Sequence, residues 1–236
     1  MAPVTPELSR WPRLSDAWWV YALGAVALVL FPIGLITRVR CGLGRCTGST
    51  AQHLFDLDRI GGLPRLFTSG LFVAVCCLGW LARRRLEGRS RTWWTAIAAI
   101  GAVLAVAKLV SAHSHAKAAA PLATLVIGVL IAGVALWALS VTGRRWEIGA
   151  ARPIAFALAG YAAAALGLDA VTSMVEASQD HVGALTAAVA TFAEELGEAL
   201  AALVVVVTVR WQLPRSGDVP RIPGPVQDLE GVRATP

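Results

Sequence analysis

Six apolar stretches, each close to the length of a membrane-spanning helix, dominate the sequence. A helix needs about 20 consecutive apolar residues to cross the hydrocarbon core of a bilayer. The segments that meet this requirement are Ala17–Ile36, Pro64–Leu81, Trp93–Val110, Pro121–Val141, Pro153–Val175 and Val182–Val209. The chain of 236 residues is 56% hydrophobic and only 15% charged, which is far more apolar than an ordinary soluble domain. The sequence therefore predicts an all-α fold, a polytopic membrane helix bundle with six transmembrane helices.

The segments around the apolar stretches define the expected domain organisation. Residues 1–16 form a cytoplasmic N-terminus, residues 17–212 the six-helix transmembrane domain, and residues 213–236 a cytoplasmic tail. The tail is rich in Pro, Gly and Arg. Because it has too few apolar residues to bury a core, we expect it to be disordered. Within the transmembrane domain, residues 37–63 are expected to form an external loop with a short amphipathic helix.

That amphipathic segment reads STAQHLFDLDRIGG. Ser49 or Thr50 can cap the start of a helix, and the glycine pair can end it. We expect the helix to lie at the membrane surface, with Leu54, Phe55 and Leu57 against the bilayer. In the alternative interpretation, the segment covers the mouth of a cavity, and its histidine and aspartates add ligands from above.

The positions of the basic residues indicate how the bundle is oriented. Short cytoplasmic loops carry an excess of Lys and Arg, and the loop ARRRLEGRSR is strongly basic. Placing both termini in the cytoplasm puts most of the arginines on the inner side, although the first outer loop is also basic. We therefore predict a multi-pass protein of the cell membrane, such as a bacterial inner membrane, with cytoplasmic N and C termini.

The net charge of +6 and the pI near 9.8 bear on the expected partners. Arginines in cytoplasmic loops face anionic lipid, which accounts for the basic balance. The sequence has no phosphate-binding loop, zinc-finger spacing or basic-aromatic stripe, so we expect no nucleic-acid partner. The expected partner is the lipid bilayer, and a membrane protein partner or a second copy of the chain stays open.

Two cysteines in the first outer loop, Cys41 and Cys46, are separated by a glycine-containing segment, RCGLGRC. Two cysteines at this spacing can close a small ring in an oxidising compartment. A zinc site is disfavoured because no second cysteine pair accompanies them. We predict a disulfide between them.

Three carboxylates interrupt the last apolar stretch, in the segment TFAEELGEAL. A charged side chain at the centre of a bilayer costs about 2.5–3.5 kcal/mol on insertion scales. Glu194 and Glu198 are four residues apart, and Glu195 and Glu198 are three apart, so Glu198 neighbours both on one side of a helix. Such a stripe is expected to face the interior of the bundle.

Polar residues in two other spans can meet this acidic stripe. The expected cavity is formed by the third, fifth and sixth spans in the outer half of the membrane. Its candidate residues are Lys108, Ser111, His113, His115, Asp169, Ser173, Glu176, Thr191, Glu194, Glu195 and Glu198.

Three interpretations of this polar set stay open. In the first, Lys108 pairs with a glutamate and the network fixes helix packing. In the second, the site binds a divalent metal ion, since imidazole with carboxylate suits zinc or a related metal, and the metal activates water to hydrolyse a lipid. The candidate metal ligands are His113, His115, Asp169, Glu194 and Glu198. In the third, carboxylates and histidine relay cations or protons.

Three short motifs resemble a recurrent class of uncharacterised bacterial multi-pass membrane proteins. In that class an FxLDxxGxLPxxxSS segment precedes the second helix, an acid stands five residues before a histidine, and the last helix carries EExxEM. The matching positions are Phe55, Asp56, Leu57, Asp58, Gly62, Leu63, Pro64, Ser69, His113, Glu194, Glu195 and Glu198. The resemblance covers roughly residues 50 to 200 and implies no function.

One departure from that class concerns the acid before the histidine. The position five before His113 holds Lys108. If the class binds metal through the acid, this chain has lost a ligand and gained a cation. The departure favours an ion pair of Lys108 with Glu194 or Glu195 over a metal ion.

A looser similarity is to seven-helix membrane hydrolases related to alkaline ceramidases, which use a Ser, an Asp and three His residues around zinc. The chain has four histidines, His53, His113, His115 and His181, and lacks the paired HxxxH of those enzymes. The expected function is thus a membrane protein whose polar cavity binds a cation, proton or metal ion, with metal-dependent lipid hydrolysis as one form. The alternative is a non-catalytic scaffold or accessory subunit.

Overall fold

The computed structural model describes residues 17–46, 48, 50–57, 59, 61–110, 121–177 and 183–213, without the side chains at 51, 121, 176, 177 and 184. The described residues form helices and turns and no strand. The helices are α1 Trp18–Gly42, α2 Thr50–Phe55, α3 Leu63–Arg84, α4 Gly88–Leu109, α5 Pro121–Arg145, α6 Ala151–Ala177 and α7 Ala184–Trp211. The predicted all-α class is confirmed.

Among the described residues, five helices are long and apolar enough to cross a membrane, namely α1, α3, α4, α5 and α6. Large apolar side chains cover their outer surfaces, as expected where helices face lipid. Helix α7 is also long, with 28 residues. However, every stretch of 18 residues within α7 contains three carboxylates, those of Glu194, Glu195 and Glu198. Each of the other five long helices has an apolar stretch of this length with at most two charged residues, so α7 is not among these candidate spans. The chain is a multi-pass membrane protein, and the sixth crossing and the orientation stay predictions.

The predicted spans correspond to the long helices, with differences at their ends. Pro64 lies in the first turn of α3 and Pro121 begins α5, positions where the missing N–H of proline is tolerated. Helix α1 continues beyond the predicted end at Ile36 to Gly42. The charged segment TRVR extends the helix past its apolar part, since arginine is a good helix former. The loop after α1 is correspondingly shorter than predicted.

The first loop is attached to the bundle at two places. The predicted disulfide between Cys41 and Cys46 is present. Helix α2 is followed by Leu57, which is completely buried in a cluster with Ala27 and Phe31 of α1 and Ala199 of α7. The prediction that Leu57 lies on the membrane surface is therefore wrong.

The reason for this burial is a glycine on α1. A Cβ atom added at Gly34 would lie 2.6 Å from Cδ2 of Leu57 and 2.8 Å from the carbonyl oxygen of Phe55. The absence of a side chain at Gly34 lets the loop fold back onto α1. The segment after α2 therefore packs against the bundle.

The tightest helix pair is α3 with α4. Glycines lie on both sides of this interface, and a Cβ atom at Gly79 would be 2.8 Å from the backbone nitrogen of Ala98. One at Gly101 would be 2.7 Å from the backbone nitrogen of Cys76. Small residues of this kind let helix backbones approach closely within a membrane. Phe72 and Ile97 fill the adjacent core.

Helix α7 packs against α6, α1 and α3, whereas α5 packs mainly on α6 and contacts α4 only sparsely. One link between α4 and α5 is the indole N–H of Trp93, which donates to the carbonyl oxygen of Leu139 at 3.4 Å. The ring of Trp93 is buried and stacks edge-on against Trp94. Over the described residues the two helices make few other contacts, and the space between them forms part of the candidate site.

Candidate ligand cavity within the bundle

A cavity of about 870 Å³ lies among α3, α4, α5, α6 and α7. Ligand-binding cavities of proteins commonly range from about 300 to 1,000 Å³, so its size fits a small molecule. Side chains from α4, α5 and α6 supply most of its apolar lining. Its charged and hydroxyl-bearing side chains come from α3, α4, α6 and α7.

Four charged side chains form a network that joins α3, α4 and α7. A guanidinium nitrogen of Arg65 lies 3.9 Å from Oε1 of Glu195. The ammonium nitrogen of Lys108 lies 3.6 Å from Oε2 of Glu195 and also contacts Oε2 of Glu198. Arg65 is 5% exposed and Glu195 is 4% exposed. Since burying an isolated charge is costly, these pairings explain how the acids are accommodated.

Local helix geometry brings these groups to one place. Arg65 lies in the first turn of α3, one turn before Ser69, whose hydroxyl donates to the carbonyl oxygen of Ala105 at 3.0 Å. Ala105 precedes Lys108 by three residues on α4, so the hydrogen bond sets the two helices in register near the charged groups. Glu195 and Glu198 lie on one side of α7 for the same reason of spacing.

A second polar group is formed by α6 and the start of α7. The hydroxyl of Thr172 and the carboxylate of Asp169 both lie close enough to the carboxylate of Glu194 to interact with it electrostatically. The hydroxyl of Ser173 donates to the carbonyl oxygen of Asp169 at 2.7 Å. That of Thr191 donates to the carbonyl oxygen of Ala187 at 3.1 Å. Glu194 is only partly buried, in contrast to Glu195.

Tyr161 precedes Asp169 on α6 and lies nearer to the middle of the helix. It lines the cavity, and it is close enough to Lys108 and Glu198 for their charges to act on its hydroxyl group. Its ring packs edge-on against Phe72 of α3, with centroids 4.7 Å apart. The side chain therefore marks the boundary between the charged part of the cavity and its apolar part.

The apolar part of the cavity extends away from the charges. Ile100 of α4, Leu136 and Leu139 of α5, and Leu158 of α6 contribute to its wall. Leu158 precedes Asp169 by 11 residues on the same helix, a separation of about 16 Å at 1.5 Å per residue. The cavity is thus elongated, with charged groups towards one end and aliphatic side chains towards the other.

The structure brings together the seven predicted site residues whose side chains it describes. Each of them lines the cavity: Lys108, Asp169, Ser173, Thr191, Glu194, Glu195 and Glu198. Ser111, His113 and His115 lie outside the described residues, as does the side chain of Glu176. Lys108 pairs with Glu195, one of the two acids considered from the sequence, and with Glu198.

The predicted metal ligands are only partly within the described part of the chain. His113 and His115 lie outside it, and Asp169, Glu194 and Glu198 line the cavity. Among the described residues, no group of three or more His, Cys, Asp and Glu side chains is arranged to hold a metal ion.

Three polar residues of the cavity were missed by the sequence interpretation. Arg65 falls at the start of the predicted span Pro64–Leu81 and was not among the candidate cavity residues, yet it is buried in the cavity wall. Its position four residues before Ser69 on an amphipathic helix was the available signal. Tyr161 and Thr172 have no comparable signal, because single aromatic and hydroxyl side chains are common in apolar helices.

A family model described as "Domain of unknown function (DUF8692)" matches residues 20–213, and the chain belongs to this family. The matched segment contains all the long helices except for the first two residues of α1. No curated protein and no solved structure matches the chain.

Proposed function

We propose that this member of the DUF8692 family binds a cation in the intramembrane cavity. The observation that carries the proposal is the charge of the cavity wall. Among the residues that the structure describes, four carboxyl groups, those of Asp169, Glu194, Glu195 and Glu198, line the cavity together with two basic groups, Arg65 and Lys108. Carboxylates within apolar helices are costly unless a positive charge compensates them.

The ion pairs distribute this charge unequally. Arg65 and Lys108 both pair with Glu195, and Lys108 also pairs with Glu198. Glu194 takes part in none of these three pairs, and its described neighbours include the neutral hydroxyl of Thr172. The region around Glu194 therefore attracts a positive charge most strongly, and we assign the cation to it.

The proposal includes a location and an orientation. Helix α7 is the sixth membrane crossing, because the charged network and the hydroxyl groups of α6 accommodate its three glutamates. Both termini are cytoplasmic, which places the arginine-rich turn between α3 and α4 on the inner side. The cation site then lies in the outer half of the cell membrane. These assignments rest on the distribution of charges along the sequence.

A second candidate function is that of a non-catalytic scaffold. The observation that favours it is the bridging of three helices by the pairs among Arg65, Lys108, Glu195 and Glu198. A buried polar network can specify one packing arrangement without binding a ligand. In that case the cavity would take up no cation specifically.

Calorimetric titration of the purified protein with methylammonium chloride tests the proposal, with sodium, potassium and zinc chlorides as further probes. We expect saturable binding of at least one of these cations. Glu194→Gln should weaken it by about tenfold or more, because a hydrogen bond to a charged group is worth about 1.5–3 kcal/mol. Elemental analysis of the same sample identifies any metal ion that stays bound through purification.

Glu87→Gln is the matched control. Glu87 is an exposed carboxylate in the turn between α3 and α4, away from the cavity. Its loss removes the same charge from the protein and should leave cation binding unchanged. Absence of saturable binding for every probe, or equal weakening by the two variants, would contradict the proposed function and favour a scaffold.

A further inference from the structure

The cavity opens on the side of the bundle between α4 and α5. Over the described residues of these helices, contacts are sparse, and the hydrogen bond from Trp93 to Leu139 lies at one end. Val103 of α4 and Ile131 of α5 both line the cavity, and they are 66% and 65% exposed. Such large exposure of cavity-lining residues on two sparsely contacting helices indicates that the cavity is open between them, and both helices are candidate membrane spans.

The chemistry of the opening differs from that of the charged end. The wall next to the opening consists of small and aliphatic side chains, among them Ala99, Val103, Ile131 and Ala135. Such a surface offers no hydrogen bonds and is compatible with hydrocarbon. A polar solute that came from water would gain nothing from this wall, whereas a chain already dissolved in the bilayer can pass along it.

The elongated cavity therefore suits a molecule with two different ends. An inorganic cation would use only the region of Glu194 and would leave the aliphatic region without a function. An anionic headgroup placed there would be repelled by the carboxylate of Glu194. A positively charged headgroup that carries a hydrocarbon chain matches both parts of the wall.

We propose that the ligand is an amphiphile with one ammonium headgroup and a hydrocarbon chain, and that it reaches the cavity from the bilayer between α4 and α5. This inference rests on the proposed function, since the ammonium group occupies the proposed cation site beside Glu194. The chain lies along Ile100, Leu136 and Leu158. The ligand is either an amine-bearing membrane lipid or a hydrophobic amine that has partitioned into the membrane.

Photolabelling in phosphatidylglycerol vesicles tests the inference. The probe is a long-chain alkylamine with a diazirine near the end of its chain, and the reference is the alcohol with the same chain and diazirine. At equal mole fractions in the bilayer, we expect the amine to label the peptides that hold Leu136 and Leu158 about tenfold more than the alcohol does. Glu194→Gln should reduce this excess to near equality.

The route is tested by obstructing the opening. The double variant Val103→Trp, Ile131→Trp should reduce the labelling by the amine, because indole rings fill the gap between the helices. The matched control is Val106→Trp, Val129→Trp, which introduces the same side chains at exposed positions of α4 and α5 that do not line the cavity. Thermal unfolding of both double variants checks that each of them is folded.

The outcomes separate this inference from the proposed function. If methylammonium binds in a Glu194-dependent manner but the amine labels no more than the alcohol, the inference is overturned and the cation site stands. If neither amine binds, both fail. Excess labelling that persists in the folded Val103→Trp, Ile131→Trp variant overturns the route through the bilayer.

A final arm distinguishes the two sources of the ligand. Adding phosphatidylethanolamine to the vesicles supplies an amine-bearing lipid as a competitor. Reduced labelling by the amine probe supports the inference with a membrane lipid as the natural ligand. Undiminished labelling, with the Glu194 dependence intact, supports the inference with a hydrophobic amine as the ligand.

Discussion

Helix α4 has two sides that differ in how they meet their neighbours. Towards α3 it packs backbone against backbone, at Gly101 and opposite Gly79, with no space for added atoms. Towards α5 it is separated by a cavity whose opening exposes Val103 and Ile131. Close packing of glycines gives a fixed interface. The side towards α5 is instead joined by the Trp93 hydrogen bond, and Lys108 connects α4 to α7.

This difference indicates a division of labour within the bundle. The pair α3–α4 forms a rigid support that positions Arg65 and Lys108, the basic groups of the cavity. Helix α5, packed mainly on α6, forms a wall that leaves room for a ligand. A site whose charged groups lie on rigid helices can bind a ligand without moving those groups. The following predictions test this difference between the two sides.

The largest effect is expected at Lys108, which connects the open side of α4 to α7. Lys108→Met leaves Glu195 and Glu198 without the cation that contacts both of them. Removing one partner of a buried ion pair costs about 3–5 kcal/mol. We expect a loss of this order in the free energy of unfolding, measured by denaturant titration in detergent.

The double variant Lys108→Met, Glu198→Gln provides the control for that measurement. Because it removes one of the two opposed charges as well, it should recover part of the lost stability. A Lys108→Met protein within about 1 kcal/mol of the original would mean that the pairs are solvated and stabilise little.

The next effect concerns the glycines of the closed side. Gly101→Val places atoms within 3 Å of the α3 backbone, and overpacking of this kind costs about 1–3 kcal/mol. Gly133→Val on α5 is the matched control, since a Cβ atom there has no neighbour within 4 Å. Unfolding titrations should show a loss for Gly101→Val alone. Equal losses would contradict the close packing of α3 and α4.

A smaller effect is expected for the hydrogen bond between α3 and α4. Ser69→Ala removes the bond to the carbonyl oxygen of Ala105, and a typical hydrogen bond contributes about 0.5–1.5 kcal/mol. Thr95→Ala removes a hydroxyl that bonds within its own helix, to the carbonyl oxygen of Arg91. The free energy of unfolding should fall more for Ser69→Ala. The reverse order would argue against the register of α3 and α4 described above.

The smallest effect on stability is expected at the opening. Val103→Phe enlarges a side chain that faces outward, and surface substitutions usually change stability by less than about 0.5 kcal/mol. Ala105→Phe, two residues away on the buried side of α4, should destabilise strongly because Ala105 is 4% exposed. Similar unfolding free energies for the two variants would mean that both sides of α4 are packed alike.

The sequence predicted the architecture because hydropathy and helix length are sufficient for it. Six apolar stretches correspond to six long helices, and the disulfide follows from two cysteines at suitable spacing in one loop. The inward stripe of Glu195 and Glu198 followed from helical periodicity. These features depend on residues close together in the chain, where geometry is known in advance.

The parts that the sequence did not predict depend on tertiary contacts. Arg65 was counted among the basic residues of the outer side, and its pairing with Glu195 joins residues that are far apart in the chain. The burial of Leu57 depends on the space left by Gly34. The opening between α4 and α5 results from the sparse contacts between the described residues of these helices, which no sequence pattern records.

The most direct measurement of the central claim is chemical modification of the cavity carboxyl groups from the bilayer. A hydrophobic carbodiimide, applied to the protein in vesicles, reacts with carboxyl groups that it reaches through the lipid, and mass spectrometry identifies the modified residue. The account predicts modification of Glu194 that an added alkylamine slows and that Val103→Trp, Ile131→Trp suppresses. Unmodified Glu194, or modification at the same rate with and without the amine, would contradict a cation site reached from the membrane.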